Sequence, residues 1–191
     1  MKKKITVMTK MERIAAAIRG DDVDTVPYSL WSHLPLIDLD PVKNAEQTYG
    51  FCKTYDVDIL KTMNNGMYSV EDFGAVADYS EIAGGGAAKI VSTPVHRPKD
   101  WLDLEPVSVN AGALAREQEY LRLLLDKTRG TVPVIFTVFS PLTTAYKLCP
   151  DLMRHVAEGF GEEVKAGLRA ITESTLSLIH ISEPTRPEPI S

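Results

Sequence analysis

Apolar residues recur at helical spacing in four stretches of the chain and run almost continuously in three others. The first helical stretch opens at Thr9, which with Glu12 forms a Thr-x-x-Glu capping box, places Ile14, Ala15 and Ile18 on one face, and stops at Gly20. Asp40 followed by Pro41 reads as an N-cap and first-turn pair, starting a second helix to about Thr54 with Val42, Ala45, Tyr49 and Cys52 facing in. Ala111 to Arg129 is the third, with Leu114, Gln118, Leu121, Leu124 and Leu125 on its apolar side, a charged opposite face and Gly130 as its stop. The fourth runs from Asp151 to about Thr172, with Met153, Val156, Phe160, Val164 and Leu168 inward.

Between these lie Val26 to Leu34, Val57 to Met63 and Val132 to Ser140, rich in β-forming residues and expected as strands. The last is apolar nearly throughout, as in a parallel sheet covered on both faces. Tyr68 to Pro106 reads as a long excursion, with Gly84 to Gly86 as a flexible turn and Lys89 to Thr93 as a short strand. The alternation predicts an α/β fold with parallel strands. Periodicity does not separate a barrel from an open sheet, but no G-x-G-x-x-G follows any strand, so a dinucleotide-binding sheet lacks its main support.

Composition narrows the function classes. With 21 Lys and Arg against 26 Asp and Glu, a net charge of -5, the chain has no electrostatic footprint for nucleic acid. No stretch approaches the roughly twenty apolar residues of a membrane span, and the Lys2 to Lys4 run is not followed by a signal-peptide core. Cys52 and Cys149, far apart and without a C-x-x-C pattern, indicate neither a disulfide framework nor a self-contained zinc site, which fits a reducing cytoplasm. Cys52 reads as core and Cys149 as structural. The 191 residues fall short of the about 250 typical of a complete (β/α)8 barrel.

From Leu176 the pattern changes to LSLIHISEPTRPEPIS, with Pro184, Pro187 and Pro189 in the last eight residues. Leu176 to Arg186 resembles the translation of a sequencing-library adapter. Residues 1–175 are therefore expected to be one domain and 176–191 a non-native or disordered tail.

Three segments, MTKMERIAAAIRGDDVDTVPYSLW, DPVKNAEQTYGFCKTYDVDILKTMNNG and VPVIFTVFSPLTTAYKL, together resemble the uroporphyrinogen decarboxylase superfamily. The resemblance implies a (β/α)8 TIM-type barrel of which this chain supplies the N-terminal half, inactive alone and a homodimer when complete. It implies one of two activities: decarboxylation of a porphyrinogen without a cofactor, or methyl transfer between a corrinoid protein and a thiol through zinc. A non-catalytic tetrapyrrole-binding module is a third reading. No cofactor or metal site is expected in this half, since the superfamily's zinc ligands belong to the second half.

Active sites of such barrels sit at the C-terminal strand ends, here Trp31 to His33, Thr62 to Asn65 and Phe139 to Pro141. The resemblance therefore singles out His33, Asn64 and Asn65 as catalytic candidates. Trp31, Ser32, Tyr68, Ser140 and Tyr146 are candidates for substrate binding, the two tyrosines by stacking. Asn64 and Asn65 equally suit a turn before Gly66, and Ser140 with Pro141 equally suits a helix start. True decarboxylases carry arginines after strand one and an aspartate after strand two; this chain has Ser32 and His33, then Asn64 and Asn65. An amide can hydrogen-bond a pyrrole but cannot supply negative charge. His96 and Arg97 read as solvated, and His155 and His180 are given no role.

Overall fold

The computed structural model describes residues 7–182, which divide into two compact units. The first contains residues 7–64 and 119–137, the second residues 65–118 and 138–182.

In the first unit, α1 (Lys10–Arg19) starts with the expected capping box and ends at Gly20, whose φ of 77° takes the left-handed turn without a Cβ penalty. Arg13 of α1 bonds Asp24 at 2.6 Å and also reaches the buried Asp58, tying the helix to two later segments of the chain. The second helix, α2 (Pro41–Tyr55), is capped by Asp40, which accepts from the N–H groups of Val42 and Lys43 at 3.0 and 3.1 Å. Its buried face holds Asn44, Ala45, Thr48 and Cys52, whereas Val42, expected inside, is exposed. Ala45 and Cys52 pack with Val57, Leu60, Tyr120, Leu124 and Val132 into this unit's core.

Two expected strands are present in short form. Strand β1 (Leu60–Lys61) pairs in parallel with β4 (Val134–Ile135), Leu60 opposite Val134 and Lys61 opposite Ile135. The expectation that the Val132 to Ser140 run is covered on both faces is corrected, because Ile135 is 51% exposed. The expected first strand, Val26 to Leu34, forms no ladder. Among the described residues, backbone bonds tie residues 26–33 only through the Tyr28 carbonyl, which accepts from Asp58 N at 2.9 Å and Ile59 N at 3.4 Å. Pro27 lacks a donor, and a strand sequence without neighbours on both edges remains an extended segment.

In the second unit, the stretch expected as an excursion contains α3 (Tyr68–Glu71) and β2 (Val76–Asp78), which pairs antiparallel with β3 (Lys89–Ser92), the short strand expected at Lys89 to Thr93. Gly85 at φ 87° ends the 3-10 turn between these strands. Helix α4 (Gly112–Thr128) gives its residues through Gln118 to this unit and the remainder to the first. Its charged face is not fully solvated, since Glu117 is buried, while Leu125, expected inside, is exposed.

Ser140 caps α5 (Pro141–Leu148), accepting from Thr143 N at 3.1 Å. The single helix expected over Asp151 to Thr172 is instead α6 (Leu152–Ala157) and α7 (Gly161–Ser182), separated at Gly159, whose φ is 95°. The break rotates the inward face: Leu152 and His155 are buried, and Met153 and Val156 are exposed. Helix α7 also runs through Leu176 to Ser182 with Leu178 buried, where loss of helical pattern was expected; residues 183–191 of the expected tail lie outside the described residues. Trp101, fully buried, anchors a core with Val70, Leu148, Leu152, Val164 and Ile171. Among the described residues no helix is long and apolar enough to cross a membrane.

The chain is thus α/β with a parallel strand pair, as the alternating pattern predicts, though its sheet is small.

Candidate functional site

The C-terminal end of β1 in the first unit is built by hydrogen bonds from three directions. Asn44 of α2 donates to the Met63 carbonyl at 3.1 Å, and the Tyr120 hydroxyl of α4 accepts from Met63 N at 2.9 Å while bonding Thr48 at 2.9 Å. These buried contacts hold the chain straight into Asn64, and satisfied buried polar groups of this kind rigidify a site. The Thr62 hydroxyl donates to Asn64 Oδ1 and accepts from Thr137 N at 2.9 Å. From the outer side, the Trp31 indole N–H donates to the Thr62 carbonyl at 3.2 Å.

Trp31, Ser32, His33 and Asn64 are therefore drawn to one end of one unit, with Trp31 and Asn64 each bonded to Thr62. The His33 ring meets Trp31 edge-on with centroids 4.3 Å apart, and Ser32, exposed, donates to the His33 carbonyl at 3.2 Å. Lys61 Nζ lies 4.0 Å from the Trp31 ring centroid, a cation over an aromatic face, and burial lowers the pKa of its ammonium. Every group this cluster presents is neutral or cationic. The acid on the same stretch, Asp58, stands before β1 and is taken up by Arg13 and by the Tyr28 N–H at 3.1 Å.

Asn65 belongs to the second unit and is nearly fully buried there. Its Oδ1 accepts from Met67 N at 2.8 Å, the turn-forming contact expected of Asn before Gly66, and also lies 3.1 Å from the Tyr79 hydroxyl. That hydroxyl is 2.9 Å from Glu71 Oε1, so its one proton serves either acceptor. Arg116 holds Glu71 at 3.0 Å and reaches Glu117 at 3.3 Å. Burial, and then Glu71, push the Tyr79 phenol above its ordinary value.

The remaining candidates separate by burial. Tyr68 is 1% exposed, its ring tilted against Phe139 at 5.4 Å and its hydroxyl accepting from Phe139 N at 3.4 Å; burial pushes its phenol up. It presents no open face for stacking. Tyr146 on α5 is 56% exposed, and Ser140 is occupied as the helix cap. A cavity of about 20 Å³ beside Tyr68, lined also by Ser69, Phe139 and Thr144, has room for one water and not for a tetrapyrrole.

Two groupings escaped the sequence reading. Trp101 Nε1 donates to His155 Nδ1 at 3.0 Å, and Cys149 Sγ lies 3.8 Å from the same nitrogen, all three side chains buried. Gly159 was the available signal, since a helix broken there turns His155 inward. The Tyr79, Glu71 and Arg116 network had no local signal, because its members are joined only by the fold. Among the described residues no group of three or more His, Cys, Asp or Glu side chains could hold a metal ion.

No protein-family model matches the chain, and neither does any curated protein. Among solved structures, a methyltransferase from Methanosarcina mazei is similar, with a TM-score of 0.74 at 17% sequence identity over 92% of this chain. The similarity covers 56% of that protein, so this chain spans about half its length. At that identity the likeness establishes a shared α/β fold of a kind used by an enzyme.

Proposed function

We propose that the chain is the N-terminal half of a (β/α)8 barrel of the uroporphyrinogen decarboxylase superfamily, and that the complete protein transfers a methyl group from a corrinoid to a thiol. The observation carrying this choice is the absence of an anionic side chain from the cluster described at the end of β1. Decarboxylation needs an anion to stabilise a protonated pyrrole, and a preorganised charge is what makes such a site effective. Here that place holds the Asn64 amide, bonded by the Thr62 hydroxyl, with Trp31 and Lys61 beside it. The similarity to the methyltransferase supports the same side of the choice.

Zinc, when bound, would lower the pKa of the acceptor thiol and present it as a thiolate. The residues in hand do not fit it: Cys52 and Cys149 are both buried, burial raises both thiols, and only Cys149 has an imidazole beside it. No step through zinc is therefore assigned to this chain. Its own contribution is positional. Trp31 offers an exposed aromatic face, and the buried Asn64 fixes the turn behind it through Thr62, which orients a ligand without adding negative charge.

The contiguous gene sequence tests this reading. It is expected to continue into a second half with a His-x-Cys pattern and a later Cys, each at a strand end. A continuation without those ligands would remove the methyltransferase reading.

A further inference from the structure

Among the described residues, Lys147 of the second unit is a half-buried cation without a counter-charge at ion-pair distance. Lys147 leaves the last turn of α5, donates from Nζ to the Gly66 carbonyl at 2.6 Å and stands 3.9 Å from the Phe139 ring centroid. Among the described residues no carboxylate lies at ion-pair distance from it, and the influence acting on its ammonium is burial, which lowers its pKa. Other lysines of the same unit do find acids: Lys89 bonds Glu81 and Lys165 bonds Glu162, both at 2.6 Å.

An ammonium carries three N–H donors. The Gly66 carbonyl takes one, and the Phe139 face attracts the charge without offering a lone pair. Gly66 follows the Asn65 turn, and Phe139 immediately precedes the Ser140 cap, so contacts within this one unit fix the position of Nζ. A purely structural clip needs the first contact only; a partly dehydrated charge with donors to spare is favourable once an anion reaches it. One positive charge suits a singly charged carboxylate. A phosphate dianion calls for a second cation, and Arg116 of this unit is already held by Glu71 and Glu117.

We propose that Lys147 is the anchor for a carboxylate group of a bound small molecule, with the Gly66 carbonyl and the Phe139 ring holding its ammonium in place. The assignment is independent of the methyl-transfer reading, and its test requires no turnover.

The 191-residue protein is titrated with acetate at constant ionic strength, chloride making up the balance. Binding is read by saturation transfer to the acetate methyl protons and by the thermal midpoint. Saturable binding is expected in the wild type, weakened about tenfold or more in Lys147→Gln, the loss of one charge-assisted hydrogen bond. Lys147→Arg is expected to keep part of it, and Lys165→Gln all of it. A structural clip alone would lower the Lys147→Gln midpoint equally with and without acetate, which would overturn the proposal. So would acetate binding unchanged in Lys147→Gln, or saturable binding of inorganic phosphate with none of acetate. Circular dichroism checks the fold of each variant, and if Lys147→Gln does not fold, Lys147→Met is used in its place.

Discussion

Replacing Gly167 by Ala tests how α7 packs in the second unit. A methyl built on Gly167 comes 2.5 Å from Trp101 Cε3 and 3.2 Å from the Trp101 carbonyl oxygen. Carbon atoms rest about 3.5–4.0 Å apart, so the indole must retreat by about 1 Å. It has little freedom to do so, being fully buried with its N–H bonded to His155 Nδ1 at 3.0 Å. Overpacking of this kind costs about 1–3 kcal/mol, against a gain of about 0.5–1 kcal/mol for Ala over Gly inside a helix. The net expectation is a loss of about 0–2.5 kcal/mol, centred near 1, which lowers the thermal midpoint by about 3–5 °C at the centre of that range in a chain of this size.

Gly50 provides the opposite case. It lies inside α2, and a methyl there meets nothing within 4 Å, so Gly50→Ala should raise the midpoint by about 1–4 °C. Thermal melts followed by circular dichroism decide both. If Gly167→Ala melts at or above the wild type, the close approach of α7 to Trp101 is wrong.

Two further expectations follow from charge and burial. Asp24 is held below the ordinary carboxylate range, first by its bonds to Arg13 and then by the Met8 N–H. A depressed carboxyl stabilises the fold above its unfolded value, and that stability is lost as pH falls from about 5 toward about 3. The thermal midpoint should therefore drop across that window, and less steeply in Arg13→Gln; parallel curves would refute the link. Burial raises both Cys52 and Cys149, so a thiol-exchange reagent at pH near 8 should react slowly with the native protein and rapidly once it is unfolded. Native-state reaction at the rate of a free thiol would contradict their placement.

What the sequence made visible was mostly local. The Thr9 and Glu12 box, the Asp40 cap before Pro41 and the Ser140 cap before Pro141 each depend on atoms within one turn, and each is found where its residues predict. Strands were less legible because pairing is supplied by distant residues: Val26 to Leu34 has strand composition yet is tied mainly through Tyr28. Strand β3 is found where Lys89 to Thr93 was expected, but its partner β2 was missed because the connection between them is long and holds a 3-10 turn rather than a hairpin dipeptide. At the site, Asn64 and Asn65 were recognisable as a turn. The bonds distinguishing them, Asn64 to Thr62 and Asn65 to Tyr79, have different origins: the first is local, and the second requires a side chain fourteen residues away to fold back. His155 was set aside because the helix carrying it was read as unbroken.

Methyl transfer and decarboxylation are separated most directly by product analysis. The complete protein, loaded with zinc, is supplied in parallel with methylcobalamin plus a thiol and with a porphyrinogen. A methyl thioether matched by conversion of methylcob(III)alamin to cob(I)alamin is expected, with no carbon dioxide from the porphyrinogen. Carbon dioxide release without methyl transfer would contradict this expectation.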